Sequence, residues 1–266
     1  MMSKLPICRW LAVAGVALCT LAAAGSAWAG GMQLVAHDES TDEAYEETWG
    51  QSTLGGEGFG PWRQMGDSTP GHTIGDGFVV FYDGGYGRSF DEALASGKFT
   101  ATAWHTLLNR FSGFAIYGEE DNELFRVGYS CEQDREESEG NQYGFFYSTN
   151  SVGGVNSYRL LDEVARGDVE DVPVDYEITW SMTSEGMTVD VSLVSEGETL
   201  AALSGIQLGT TSSVEAFGVL VAGTSTADQF RFDNISVYGP AIPEPGTMAL
   251  LALGAAALAA RRLRRR

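Results

Sequence analysis

Positive charge is scarce in this chain. Of its 266 residues 16 are Lys or Arg, only two of them Lys, against 36 Asp or Glu, so the formal net charge is −20. That excludes proteins built to hold bare DNA or RNA, whose phosphates need cationic partners. Cysteine is scarce too: Cys8, Cys19 and Cys131 are all there is. The three histidines, His37, His72 and His105, form no His-Glu-x-x-His zinc spacing. There is no Gly-x-Ser-x-Gly elbow for a nucleophilic serine and no glycine loop followed by Lys to cradle a phosphate. Long amphipathic helical runs are missing as well. What the chain has in quantity is glycine, 34 residues, with 44% hydrophobic and 11% aromatic residues. That composition folds rather than staying disordered.

The charge is distributed in three blocks. Lys4 and Arg9 make the start basic, five Arg between Arg261 and Arg266 make the end basic, and every acid except Glu244 lies in residues 30–243. The start reads as a secretory signal peptide over residues 1–29. A positive n-region leads into an apolar stretch from Trp10 to Ala24, and Ala27-Trp28-Ala29 is a small-x-small cleavage site. Cleavage after Ala29 removes two cysteines and leaves Cys131 alone, so the mature chain has no internal disulfide. Signal peptidase and the export machinery are thereby implied partners.

The end is more specific. Pro243-Glu244-Pro245 interrupts any regular structure. Fourteen residues, almost all Leu, Ala, Met or Gly, follow from Thr247 to Ala260, and the Arg cluster closes the chain. A short membrane helix over about 247–263 is expected, with its Arg side chains snorkelling to the cytoplasmic surface. Residues 242–266 resemble the PEP-CTERM sorting signal of Gram-negative bacteria, which has these three parts in this order. The resemblance implies export across the inner membrane, transient anchoring there, and processing by an exosortase before release to the cell surface or an extracellular matrix.

Residues 30–241 predict one all-β domain. Val174, Tyr176, Ile178, Trp180 and Met182 alternate with polar residues, a turn follows at Glu185-Gly186, and Met187, Val189, Val191 and Leu193 alternate in turn. This is a β-hairpin with one dry face. Further strands are expected at 77–82, 98–104, 113–117, 124–129, 142–147, 199–203, 214–222 and 229–238, and a short helix at Leu160–Ala165. In the last strand the apolar phase slips between Phe232 and Ile235, which predicts a β-bulge at Asp233-Asn234. About ten strands and no long helix argue for two packed antiparallel sheets.

The body also carries a pattern of glycine and aromatics. It runs from Asp38-Glu39-Ser40, Tyr45 and Trp49 through Gly55-Gly56-Glu57-Gly58-Phe59-Gly60-Pro61-Trp62 and Arg88-Ser89-Phe90. Gly113-Phe114-Ala115-Ile116-Tyr117 follows, and Phe232-Asp233-Asn234-Ile235-Ser236-Val237 closes it. This resembles the concanavalin A-like, LamG-like jelly rolls of exported bacterial proteins. The resemblance implies a two-sheet jelly roll, a carbohydrate ligand such as extracellular polysaccharide, and in some relatives a structural Ca²⁺.

Candidate sites follow from the acids and aromatics. Glu119, Asp121 and Glu123 have the spacing of a jelly-roll glycosidase triad, which would make the protein a glycoside hydrolase or lyase. Their polar neighbours Glu120 and Asn122 favour a solvated turn instead. Asp38, Asp42 and Asp233 are candidate ligands for a Ca²⁺ joining the first and last strands. The acid-rich stretches Glu132–Glu139 and Asp168–Asp171 read as solvated loops. Trp49, Trp62, Tyr82, Tyr86, Trp104, Tyr143 and Tyr147 are candidates for stacking on sugar, while Trp180 is expected in the core. The expected function is therefore a non-enzymatic, exported surface or matrix protein. Its alternatives are a glycan-active enzyme and a purely structural matrix protein.

Overall fold

The computed structural model describes residues 31–41, 45, 48–49, 54–65, 71–73, 78–81, 84–105, 111–132, 142–149, 159–165, 168–222 and 229–240. The signal peptide with Ala27 and Ala29, the sorting tail, and Asp42, Tyr82 and most of the Glu132–Glu139 stretch lie outside these residues. Residues 34–239 form one compact unit. Among the described residues no helix is long and apolar enough to cross a membrane.

Sixteen strands are present among the described residues. In chain order they are β1 (Met32–Asp38), β2 (Thr48–Trp49), β3 (Arg63–Met65), β4 (Gly71–Thr73), β5 (Phe78–Phe81), β6 (Gly84–Leu94), β7 (Ser96–His105) and β8 (Phe111–Tyr117). Then come β9 (Glu123–Glu132), β10 (Gln142–Thr149), β11 (Arg159–Glu163), β12 (Pro173–Thr183), β13 (Gly186–Ser195), β14 (Glu198–Leu208), β15 (Val214–Ala222) and β16 (Gln229–Pro240). They form two sheets. The nine-stranded sheet runs β14-β13-β12-β7-β16-β5-β4-β2, with β1 also paired to β16, and the seven-stranded sheet runs β11-β10-β9-β8-β15-β6-β3. The paired registers are antiparallel. The expected two-sheet sandwich is what forms.

The hairpin read from alternation is β12–β13, with Thr183 opposite Gly186. Its dry face, Val174, Tyr176, Ile178 and Trp180, is buried in the core. The expected bulge is present in β16. The register against β7 shifts between Asp233 and Ser236, and Asn234 takes a left-handed φ of 54°. Phe230, Phe232, Ile235 and Val237 are all fully buried as a result. Between the sheets the core is largely aromatic. Trp62 packs against Phe78, Tyr86, Phe217 and Phe232, with centroids 5.7–6.5 Å apart.

Two expectations are corrected. Leu160 and its neighbours form strand β11, because Phe146 and Tyr147 of β10 offer pairing partners that outweigh weak local helix preference. Strand β6 was not anticipated. Its glycines Gly85 and Gly87 carry no side chain to reveal a strand, yet they pair with Leu220 and Gly218 of β15.

Candidate functional site

The β8–β9 connection settles the geometry of the acidic triad. Glu119, Glu120 and Asp121 make a single exposed 3₁₀ turn, in which Glu120 and Asp121 have φ of 57° and 58°. Asp121 accepts from Nη1 of Arg63 at 3.0 Å, and its other oxygen lies 2.8 Å from Nη2. Glu123, at the start of β9, accepts from Nε of Arg126 at 2.5 Å and also holds its Nη2. The three carboxylates thus cap a hairpin rather than project from one strand face. Beside them lies a shallow depression of about 160 Å³ lined by Arg63, Ser89, Gly118, Glu120, Asp121, Glu215 and Ala216.

The first and last strands meet as expected, but through hydrogen bonds. The bulge turns Asp233 toward the N-terminal segment, where its Oδ1 accepts from the Ser40 amide at 2.8 Å. Burial raises the Asp233 pKa, against the lowering effect of its hydrogen bonds from Ser40 and Asn234. Nδ1 of His37 lies 2.9 Å from Oγ of Ser236, and its Nε2 lies 2.9 Å from Glu39.

Asp38 turns inward to Arg88, and both side chains are fully buried. Oδ2 of Asp38 accepts from Arg88 Nη1 and, at 2.6 Å, from the Tyr45 hydroxyl. That hydroxyl in turn accepts from Trp62 Nε1 at 2.9 Å. Burial, with Asp38 alongside, raises the Tyr45 pKa, so the hydroxyl stays neutral. The rest of the Arg88 fork donates to the carbonyls of Gly55 (2.8 Å) and Gly60 (2.7 Å). The loop reaches Arg88 only because Gly56 and Gly58 adopt φ of 64° and 73°, where a Cβ would strike the backbone of β1. Arg88 missed notice as a site residue because nothing local distinguishes it from a surface Arg. Its position beside three glycines of β6 was the available signal.

Of the three residues expected to hold Ca²⁺, the two that are described have other partners. Asp38 is committed to Arg88, Asp233 to an amide, and Asp42 lies outside the described residues. Among the described residues no three His, Cys, Asp or Glu side chains are grouped to hold a metal ion.

The candidate stacking aromatics divide. Trp62, Tyr86 and Tyr147 are core, as Trp180 is. Tyr143 is half-buried against the core. Only Trp104 stands on an outer face, half-buried, where the Arg231 guanidinium lies 4.4 Å from its ring centroid. The side chain of Trp49 lies outside the description.

The terminal segment decides where the chain goes. Residues 241–266 match the PEP-CTERM protein-sorting motif. The match implies export, C-terminal membrane anchoring before cleavage, and an exosortase as processing partner. No curated protein sequence matches the chain. Similar solved structures include lectin I-B4 from Griffonia simplicifolia in a metal-free form, 9% identical, covering 66% of this chain and 92% of that one, with a TM-score of 0.47. Another is the exoplasmic/lumenal domain of VIP36 in its Ca²⁺/Man-bound form, 11% identical over 76% and 91%, with a TM-score of 0.45. A sialidase is 10% identical over 78% of this chain with a TM-score of 0.47, and the chain spans 19% of that protein's length.

Proposed function

We propose that this protein is an exported, non-enzymatic surface or matrix protein of a Gram-negative bacterium that binds extracellular carbohydrate. The match of residues 241–266 to a sorting motif carries the reading, since it directs an acidic β-sandwich out of the cell. Support for a binding rather than a catalytic role comes from the acidic turn. Retaining hydrolysis needs two carboxyl groups about 5 Å apart across a bound sugar. Here Asp121 and Glu123 each hold an arginine, and Glu119 belongs to the same exposed turn. A carbohydrate suits the body because its outer surface offers hydroxyls, carboxylates and a surface Trp, while its acidity repels bare polyanions.

The test uses the full-length chain in a detergent without a sugar headgroup, applied to a glycan array with and without Ca²⁺. Glycan binding is expected. Silence under both conditions sinks the reading in favour of a purely structural matrix role. On a polysaccharide panel, release of reducing ends that Glu119→Gln and Glu123→Gln abolish would establish the enzyme instead.

A further inference from the structure

Six described Lys and Arg residues invite comparison, and one of them, Arg159, is exposed to solvent on the edge strand β11. Arg63, Arg88, Lys98 and Arg126 each hold a carboxylate. Arg231, half-buried in the middle of the nine-stranded sheet, does not. Its guanidinium lies on the Trp104 ring instead, and its Nε is buried with no hydrogen-bond partner. In a chain with more than twice as many acids as bases, such an omission needs a cause.

Acids are close by and are otherwise engaged. Pairing places Arg231 opposite Trp104, and the next rung on the same face holds Asp175, Thr102 and Asp233. Asp175 accepts from the Thr102 hydroxyl at 2.7 Å, and Asp233 from the Ser40 amide at 2.8 Å. The fold therefore presents a guanidinium held in place by a ring, with a fork that no acceptor among the described residues fills. Farther along β7, Lys98 bonds Glu177 at 3.2 Å and lies 5.0 Å from the Tyr238 ring centroid. From Trp104 to Lys98 this strip spans six residues, about 20 Å. Its two cations offset Asp175 and Glu177, with Asp233 buried beside them, so the strip is far less acidic than the body as a whole.

We propose that this strip is the carbohydrate-binding surface, and that Arg231, braced on Trp104, donates to the hydroxyl and ring oxygens of a neutral polysaccharide lying along β7. A neutral sugar fits because each hydroxyl both donates and accepts. Arg231 supplies donors, Asp175 and Glu177 supply acceptors, and Thr100 and Thr102 supply both. A uronate chain would meet the same arginine but also the long-range repulsion of the whole body.

The inference rests on the carbohydrate-binding reading above, and one experiment separates the two. Full-length chain is titrated with cellohexaose, xylohexaose, mannohexaose and hexagalacturonate, alongside Arg231→Ala, Arg231→Lys and Trp104→Ala. Melting temperatures confirm which variants fold. The wild type is expected to bind at least one neutral hexasaccharide more tightly than hexagalacturonate. Each variant should lose about tenfold in affinity. Arg231→Lys keeps the charge and loses the fork, so it reports on the site even where Arg231→Ala does not fold. Affinity unchanged in Arg231→Lys and Trp104→Ala overturns the inference and leaves the carbohydrate reading standing. Preference for hexagalacturonate overturns the neutral ligand. No binding to any of the four by the wild type, together with silence on the glycan array, overturns both.

Discussion

The two sheets present opposite outer faces. On the nine-stranded sheet the alternation is clearest in two central strands. Strand β7 alternates half-buried and buried residues along its whole length, and β12 nearly does. The outward residues of these two strands are Thr, Ser, Lys, Asp and Glu, apart from Trp104 and Pro173. On the seven-stranded sheet every residue of β8 is buried. Two of its outward positions hold small residues: Gly113 pairs with Gly128 and Leu220, and Ala115 pairs with Arg126 and Gly218. Ala115, Tyr117 and Ala216 form a separate small apolar cluster there, with Leu220 packed against it. One sheet is a conventional half-wet surface carrying polar chemistry. On the other, β8 is closed to water on both sides, and at Gly113 the neighbouring backbone leaves no room for a side chain.

Four predictions probe this difference, beginning with the link between the sheets. Arg88 belongs to β6 of the seven-stranded sheet and Asp38 to β1 of the nine-stranded one, and neither side chain touches water. Arg88→Ala leaves a buried carboxylate without its cation. We expect a loss of roughly 3–5 kcal/mol in urea unfolding, with release of the 55–60 loop to proteolysis. A loss under 1 kcal/mol would show that the sheets hold together without this link.

The dry face is tested at Gly113. A Cβ there would lie 2.2 Å from the Val127 carbonyl oxygen and 2.5 Å from Gly128 Cα, both backbone atoms that cannot step aside. Gly113→Ala should cost roughly 1–3 kcal/mol through overpacking. A neutral outcome would mean that the strands separate easily and that the small residues are not required.

This contrast also explains what was legible in the sequence. On the nine-stranded sheet, polar residues mark most outward positions of β7, β12 and β13, so these strands could be read from period-two alternation. On the seven-stranded sheet, Gly and Ala at outward positions leave β8 and β15 as apolar runs broken only by Ser112 and Glu215. These still read as strands, but with no face assigned. In β6 the glycines hid the strand altogether. The bulge at Asp233-Asn234 was legible because the apolar phase visibly slips there. Its purpose was not, since the partner of Asp233 is a backbone amide 193 residues away that no side-chain pattern reports. The same holds for Arg231. Register between β16 and β7, not spacing along one strand, sets it on Trp104.

A second link between the sheets responds to pH. His105 of β7 is completely buried. Its Nδ1 lies 2.8 Å from the Ser112 hydroxyl of β8, and its Nε2 lies 3.0 Å from the Tyr176 hydroxyl of β12. Burial among these groups lowers its pKa from 6.5 to about 3. Between these values the unfolded chain takes up a proton that the folded chain refuses. The stability His105 contributes is therefore complete above pH 6.5 and is lost as the pH falls toward 3. The slope is about 1.4 kcal/mol per pH unit. Unfolding free energies at pH 7.5 and 5.5 should differ by about that amount more in the wild type than in His105→Gln. Equal pH dependence in the two proteins would show that the ring is reached by solvent.

The smallest effect is expected on the wet face, and its smallness is the point. Thr179 of β12 points outward opposite Lys98 of β7 and Asp190 of β13. It is half-buried and faces water rather than a second layer. Thr179→Ala should shift stability by no more than about 0.5 kcal/mol, far less than the single methyl group added at Gly113. If Thr179→Ala costs as much as Gly113→Ala, the two faces are equally demanding and the polar strip along β7 has a structural rather than a binding role. If it costs little, the side chains of that strip are free to be chosen for what they touch outside the protein. That freedom makes an unpaired arginine on Trp104 informative about function, because stability does not demand it.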